Sequence, residues 1–219
     1  MVSTIPGSDI LTSGLNMISQ SLQIPVIIFL IIFAIFAVLS LGSLVSEYTS
    51  RRRVSIDSIE KMVYSISNAG SSQEIMGIIK NAKIYEFQKV VLVKILRSGS
   101  LDDDSREVLA KKLIAYEENR FGKTIEKTDI VTRIVPTLGL MGTLIPMGPG
   151  LAALGSGDVS TLANSIIIAF DTTVIGVGAG AVGYFISKLR RRWYEEDLSN
   201  LDTLIDTLLA KLKKEPEGF

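Results

Sequence analysis

VPTLGLMGTLIPMGPGLAALGSGDVSTLANSIIIAFDTTVIGVGAGAVGYFIS, residues 135–187, is the stretch that decides the fold. It holds two apolar segments, Ile134–Leu154 and Leu162–Ser187, joined by a turn at 155–161. A helix rises about 1.5 Å per residue, so roughly 20 residues cross a ~30 Å hydrocarbon layer, and each segment is long enough. Neither has the composition of a plain lipid-facing anchor. Thr137, Thr143, Asn164, Ser165, Asp171, Thr172 and Thr173 stand among many glycines at membrane depth. Polar groups there are unfavourable unless they face protein or water, so this pair of spans is expected to line something.

Charge gives the topology. Of the 23 Lys and Arg, none falls in 1–50 or 134–187; sixteen lie in 51–133 and seven in 188–219. Cytoplasmic flanks carry the basic excess. The expected arrangement is therefore a multi-pass protein of the cell (plasma or inner) membrane, N-terminus outside and C-terminus in the cytoplasm. The basic clusters sit at span ends, where they orient the chain, so nucleic acid is not an expected partner. With no Cys and no His, disulfides, thiol chemistry and the commonest metal ligand and general base are missing. No phosphate-loop, nucleophile-elbow or zinc-protease motif occurs. The chain is read as no enzyme, with no cofactor and no metal.

Outward from the hairpin, residues 24–46, IPVIIFLIIFAIFAVLSLGSLVS, make a first span with no charge, read as able to face lipid all round, with Arg51, Arg52 and Arg53 at its inner end. Before it, in residues 1–23, Leu11, Leu15, Ile18 and Leu22 recur at helical spacing, which predicts an amphipathic helix on the outer membrane surface. Residues 47–133 form a helical cytoplasmic insert. Ile56, Ile59, Val63 and Ile66 predict a helix to about Asn68; Ser71 and Glu74 form a capping-box pattern; a third helix holds Tyr85, Val90, Val91, Ile95 and Leu96; a fourth starts near Ser105. Asp102, Asp103 and Asp104 are read as complementing that helix's N-terminal dipole rather than as a metal cluster. Only Gly122 interrupts the run into the second span, so one long helix is expected there. After Lys188, Arg190, Arg191 and Arg192, the tail 188–219 repeats Tyr194, Leu198, Leu201, Ile205, Leu208 and Leu212 at steps of 4, 3, 4, 3, 4. That heptad predicts a helical seam against a sister subunit or against this chain's own helices. Pro216 and Gly218 mark its end. The fold class is all-α, with three transmembrane helices (24–46, 134–154 and 162–187), the insert and the tail.

Asp171 is the one acidic residue deep in a span. A carboxylate at the bilayer centre costs about 2.5–3.5 kcal/mol on insertion scales. Asn164 lies two turns earlier on the same face, and Thr172 and Thr173 extend the polar group, so these residues are read as an ion path; the alternative is a structural Asp bonded to a neighbouring helix. Gly176 with Gly180, and Ala179 with Gly183, are small-xxx-small pairs that let backbones approach. Pro136, Pro146 and Pro149 each remove a backbone donor, which predicts a broken ladder and kinks.

Two runs then carry a resemblance. Pro136-Thr-Leu-Gly-Leu-Met-Gly-Thr143 and Ala169-Phe-Asp-Thr-Thr173-Val-Ile-Gly176 resemble the openings of the second and third spans in the MotA/TolQ/ExbB proton channel family. The order of parts agrees as well. The resemblance implies that Thr143 and Thr173 match the family's pore-facing threonines and Pro136 its cytoplasmic-entry proline. It implies a homopentamer around a single-span partner of the ExbD/TolR/MotB kind whose membrane Asp takes up and releases the ion, so that ion flow does mechanical work. Where the ExbB-like branch has an acidic residue five positions before the pore threonine, this chain has Ile168; Asp171 stands one turn later. The expected function is the channel-forming subunit of a proton-driven (alternatively sodium-driven) motor complex. Two rivals are a non-conducting membrane scaffold for a partner and a self-sufficient cation channel using Asp171. Leu198, Leu201, Ile205 and Leu208 are expected to form the oligomer seam.

Overall fold

The structure is a computed structural model, and it describes residues 8–51 and 54–214. Among these it is all helix: α1 (Ser8–Ser21), α2 (Gln23–Ser50), α3 (Ile56–Asn68), α4 (Ser72–Asn81), α5 (Glu86–Leu96), α6 (Asp103–Gly155) and α7 (Val159–Lys214). Three stretches are long and apolar enough to cross a membrane: Ile10–Thr49, α6 and α7. Arg52, Arg53, Pro216 and Gly218 lie outside the described residues. The chain divides into two compact units, one from residues 1–49 with 126–188, the other from 50–125 with 189–219.

The first unit is the membrane unit. α1 and α2 are separated by Leu22 alone, and Pro25 explains the break: it has no N–H to offer the Ser21 carbonyl. Leu22 and Val26 still bond back to Ile18 and Leu22. The apolar stripe of α1, Ile10, Leu11, Leu15 and Ile18, is exposed on this chain. In α2 the expectation of an all-lipid face is corrected. Val26, Leu30, Ala37 and Leu44 are buried, and Val26, Leu30 and Ala37 pack with Val131, Val135, Ile145 and Ala179. Steps of 4, 7 and 7 keep these four on one side of the helix. Uniform hydrophobicity hides that stripe in the sequence.

α6 continues as one helix through Pro136, Pro146 and Pro149. Each proline deletes one bond, and the bonds on either side hold the helical course. Pro136 is seated on a helix neighbour: a Cβ on Gly180 would lie 2.5 Å from its Cγ. The turn closes with Gly157 at φ +84°, a conformation that suits glycine, and with Asp158, whose carboxylate accepts from the Thr161 backbone N–H at 3.0 Å. The Thr161 hydroxyl bonded to Asp158 holds that carboxyl below the usual carboxylate range.

The second unit buries one core. Ile59, Met62 and Ile66 of α3, Ile75 and Ile79 of α4, Val91, Leu92 and Ile95 of α5, and Leu201, Leu204, Ile205 and Leu208 of α7 share it. The heptad seam is thus closed inside the chain. Leu201, Ile205 and Leu208 are at most 1% exposed, so at these three residues the expected oligomer seam gives way to the intramolecular one, while Leu198 is half-buried outside that core. Helix ends differ by a residue or two from expectation. Tyr85 caps α5 rather than sitting in it, and α6 starts at Asp103 after Asp102, which accepts from the Ser105 N–H at 3.4 Å. Ser71 accepts from the Glu74 N–H at 3.3 Å, while the Glu74 carboxylate reaches Gly70 N–H at 2.9 Å, one residue upstream of its expected target.

Arg51 is more than a boundary charge. Its guanidinium donates to the Asp197 carboxylate at 2.8 Å and to the Trp193 carbonyl at 3.1 Å, and lies 4.8 Å from the Trp193 ring and 5.5 Å from the Tyr85 ring. Gln88, fully buried, donates to the Asp197 carbonyl at 2.8 Å. Removing one partner of such a pair leaves the other charge uncompensated. Arg51→Ala is expected to destabilise this unit by about 3 kcal/mol. Because Trp193 is the chain's sole tryptophan, a red-shifted emission and an earlier melt would report it, and an unchanged spectrum would refute it.

A candidate ion-path hairpin

The part of α6 and α7 within the membrane unit packs as one close antiparallel seam. A Cβ built on Gly150 would meet Ser165 at 2.8 Å, one on Gly142 would meet Thr172 at 2.6 Å, and one on Gly176 would meet the Gly139 Cα at 2.7 Å. Further down, Gly180 meets Pro136, and Gly183 meets Val131 and Thr132, each at 3.1 Å. Ser187 donates to Asp129 at the end of the seam. Glycine, serine and threonine alternate across it because two helix backbones this close leave no room for more. The expected role of Gly176 and Gly180 as packing positions follows from this geometry.

The polar residues expected to form one path are divided among three directions. Thr172 is buried in the seam, its hydroxyl donating to the Ile168 and Ala169 carbonyls at 2.9 and 3.0 Å. Thr143 and Thr173 are half-buried and lie together on one flank. The reason is handedness. Gly142 and Thr172 face each other, and antiparallel helices seen from one end wind in opposite senses. The residue one step after each facing position therefore falls on the same side. Both hydroxyls donate to their own helix, Thr143 to Leu140 O at 2.6 Å and Thr173 to Ala169 O at 2.9 Å. With its proton so engaged, each oxygen presents lone pairs outward, as an acceptor.

Asp171 stands one step before Thr172 and so about 200° from Thr173 around α7. It is exposed on this chain, as is Asn164 two turns away on its side. Val182, three turns on and on the same side, packs into the cluster that α2 closes. Asp171 and Asn164 thus do not join the threonines on their flank. The grouping of Asp171, Asn164, Thr172 and Thr173 into one patch overlooks that 100° per residue scatters consecutive positions around a helix.

The family model for the MotA/TolQ/ExbB proton channel family matches residues 82–203, more than half of the chain. The chain belongs to the MotA/TolQ/ExbB proton channel family. The match covers both runs that carry the resemblance, and it spans α5, α6 and most of α7. α1 and α2 lie outside the matched range, so the first span enters this MotA/TolQ/ExbB member on its own composition and packing. A comparison with individual curated proteins returns no match.

Proposed function

We propose that this membrane protein is the channel-forming subunit of an ion-motive-force motor complex, a transport protein rather than an enzyme. In this reading copies of the chain, five by analogy with the family, surround a single-span partner whose membrane Asp takes up and releases the proton. The basic residues keep 47–133 and 188–219 in the cytoplasm and leave the N-terminus outside. Proton flow along the hairpin then turns one set of subunits against the other.

The observation that supports this reading most is the shared flank of Thr143 and Thr173. Two hydroxyl oxygens at neighbouring depth, protons turned inward, offer acceptors to a hydrated cation or to a protonated carboxyl on a partner helix. Closure of such flanks around a centre gives a wet, acceptor-lined conduit. Pro136, on the seam toward the cytoplasmic end, sets the entry, and Pro146 lies buried further along.

The test is flux. In vesicles containing the chain and its co-purified partner, Thr143→Val with Thr173→Val is expected to lower proton flux about tenfold or more while the complex stays assembled. Valine keeps the volume and removes the acceptors. Undiminished flux in the double variant would end the conducting reading and favour a scaffold.

A further inference from the structure

We propose that Asp129, held by Ser187, is the carboxylate at the cytoplasmic mouth of the ion path, where it takes over the proton that leaves the threonine level. The inference rests on the conduit reading above and supplies the acid that the threonine flank otherwise lacks. Within 134–187 the acids are Asp158, in the outer turn, and Asp171, on another side of α7. Neither stands below the threonines on their flank.

The seam keeps one register along its length. Gly142 meets Thr172, Pro136 meets Gly180, and Thr132 meets Gly183. Ser187 and Asp129 continue it, the serine hydroxyl donating to the carboxylate from the other helix. Asp129 lies 14 residues before Thr143, and Ser187 lies 14 residues after Thr173. That interval is four turns less about 40°, and about 21 Å along the axis. The lower pair therefore stands under the upper pair on the same flank. α2 packs on the opposite flank. Ile145, two steps after Thr143, and Val131, two steps after Asp129, both belong to the cluster that α2 closes. Two steps turn about 200°, so Thr143 and Asp129 both lie away from α2. Pro136 and Gly180, midway between the two levels, put no charge between them.

The two levels differ in chemistry. A threonine hydroxyl bonded to its own helix offers an acceptor only, whereas a carboxylate takes a proton and gives it up again. Asp129 is half-buried, in the seam on one side. Glu126, Lys127 and Arg133 on the adjoining turns of α6, and Lys188 beside Ser187, are exposed, so the pair stands where the seam meets water. A proton carried by a conduit water passes to the carboxylate, forming an O–H bond while that water keeps the electron pair. The same proton then leaves to a cytoplasmic water, and the carboxylate returns to its starting state. A mere clamp between the helices needs only an acceptor for the Ser187 hydroxyl, which an amide also provides.

That difference is the test. In vesicles of the chain with its co-purified partner, Asp129→Asn is expected to lower proton flux about tenfold or more while the thermal melt stays at the parent's. Asp129→Glu should recover most of the flux. The chain has no cysteine, so Asp129→Cys is alkylated at one known place, with alkylated parent vesicles as the reference. Iodoacetate adds a carboxylate there, and iodoacetamide adds a neutral amide of the same shape. Flux is expected to be several-fold higher after the first reagent than after the second. Parental flux in Asp129→Asn, or flux that follows the melting temperature and ignores which reagent was used, would overturn the proposal and leave a clamp. The threonine test answers separately. Flux lost in Asp129→Asn but kept in Thr143→Val with Thr173→Val would sink the threonine conduit and leave Asp129 as an ion-accepting group. The reverse pattern would keep the conduit and remove Asp129 from it.

Discussion

Replacing Gly176 by leucine is expected to abolish the folded hairpin, and with it assembly and flux. A Cβ at this position would lie 2.7 Å from the Gly139 Cα, 3.1 Å from the Val135 carbonyl and 3.2 Å from the Gly139 nitrogen. All three obstacles are backbone, so no side chain can swing aside. Overpacking a tight core costs about 1–3 kcal/mol even where side chains can yield. Here the helices themselves must part, which undoes the contacts of Thr172 with Gly142 and of Gly180 with Pro136 on either side. Gly178→Leu is the control. It is two residues away on the same helix, carries the same intrinsic propensity change, and would meet nothing within 4 Å on this chain. Thermal unfolding in detergent should show Gly176→Leu lost or melting far below the parent, with Gly178→Leu close to it. Equal stability of the two variants would mean that the seam is not where the close approach lies.

How much of this was legible in the sequence depends on what each signal averages over. The spans and the long continuous helices follow from length and apolarity, quantities summed over about 20 residues, and α6 and α7 bear them out. The family followed from two short runs around Thr143 and Thr173, and the matched range contains both. Directions were harder. Asp171, Thr172 and Thr173 are consecutive letters, yet one is exposed, one buried against Gly142 and one on the threonine flank; only the seam partner fixes where the 100° steps begin. The buried stripe of α2 was hidden because every residue near Val26 and Leu30 is equally apolar. Arg51 was read by its charge, and its partners Asp197, Trp193 and Tyr85 are more than thirty residues away in sequence. The heptad at Leu201–Leu212 gave the seam but not its partner, because leucine spacing is the same whether the facing helix belongs to this chain or to another.

That last ambiguity has a decisive variant, Leu208→Asp. Leu208 is fully buried among residues of α3, α4 and α5 rather than on an outer surface. Truncating such a leucine costs about 2–5 kcal/mol. Aspartate adds a carboxylate in an apolar core, whose cost in practice is met by protonation or by unfolding. Since whole domains are stable by only about 5–15 kcal/mol, the second unit is expected to unfold. The expected signature in the full-length protein is loss of the cooperative melt reported by Trp193, together with protease cleavage between residues 56 and 125. A seam between sister subunits would behave otherwise: the variant would run as a smaller particle while Trp193 kept its native emission and the insert resisted protease. The second pattern would contradict the packing described above, because Leu201, Leu204, Ile205 and Leu208 are enclosed by this chain's own helices, and the side of that helix turn left exposed carries Asp202, Thr203 and Asp206 in place of the leucines.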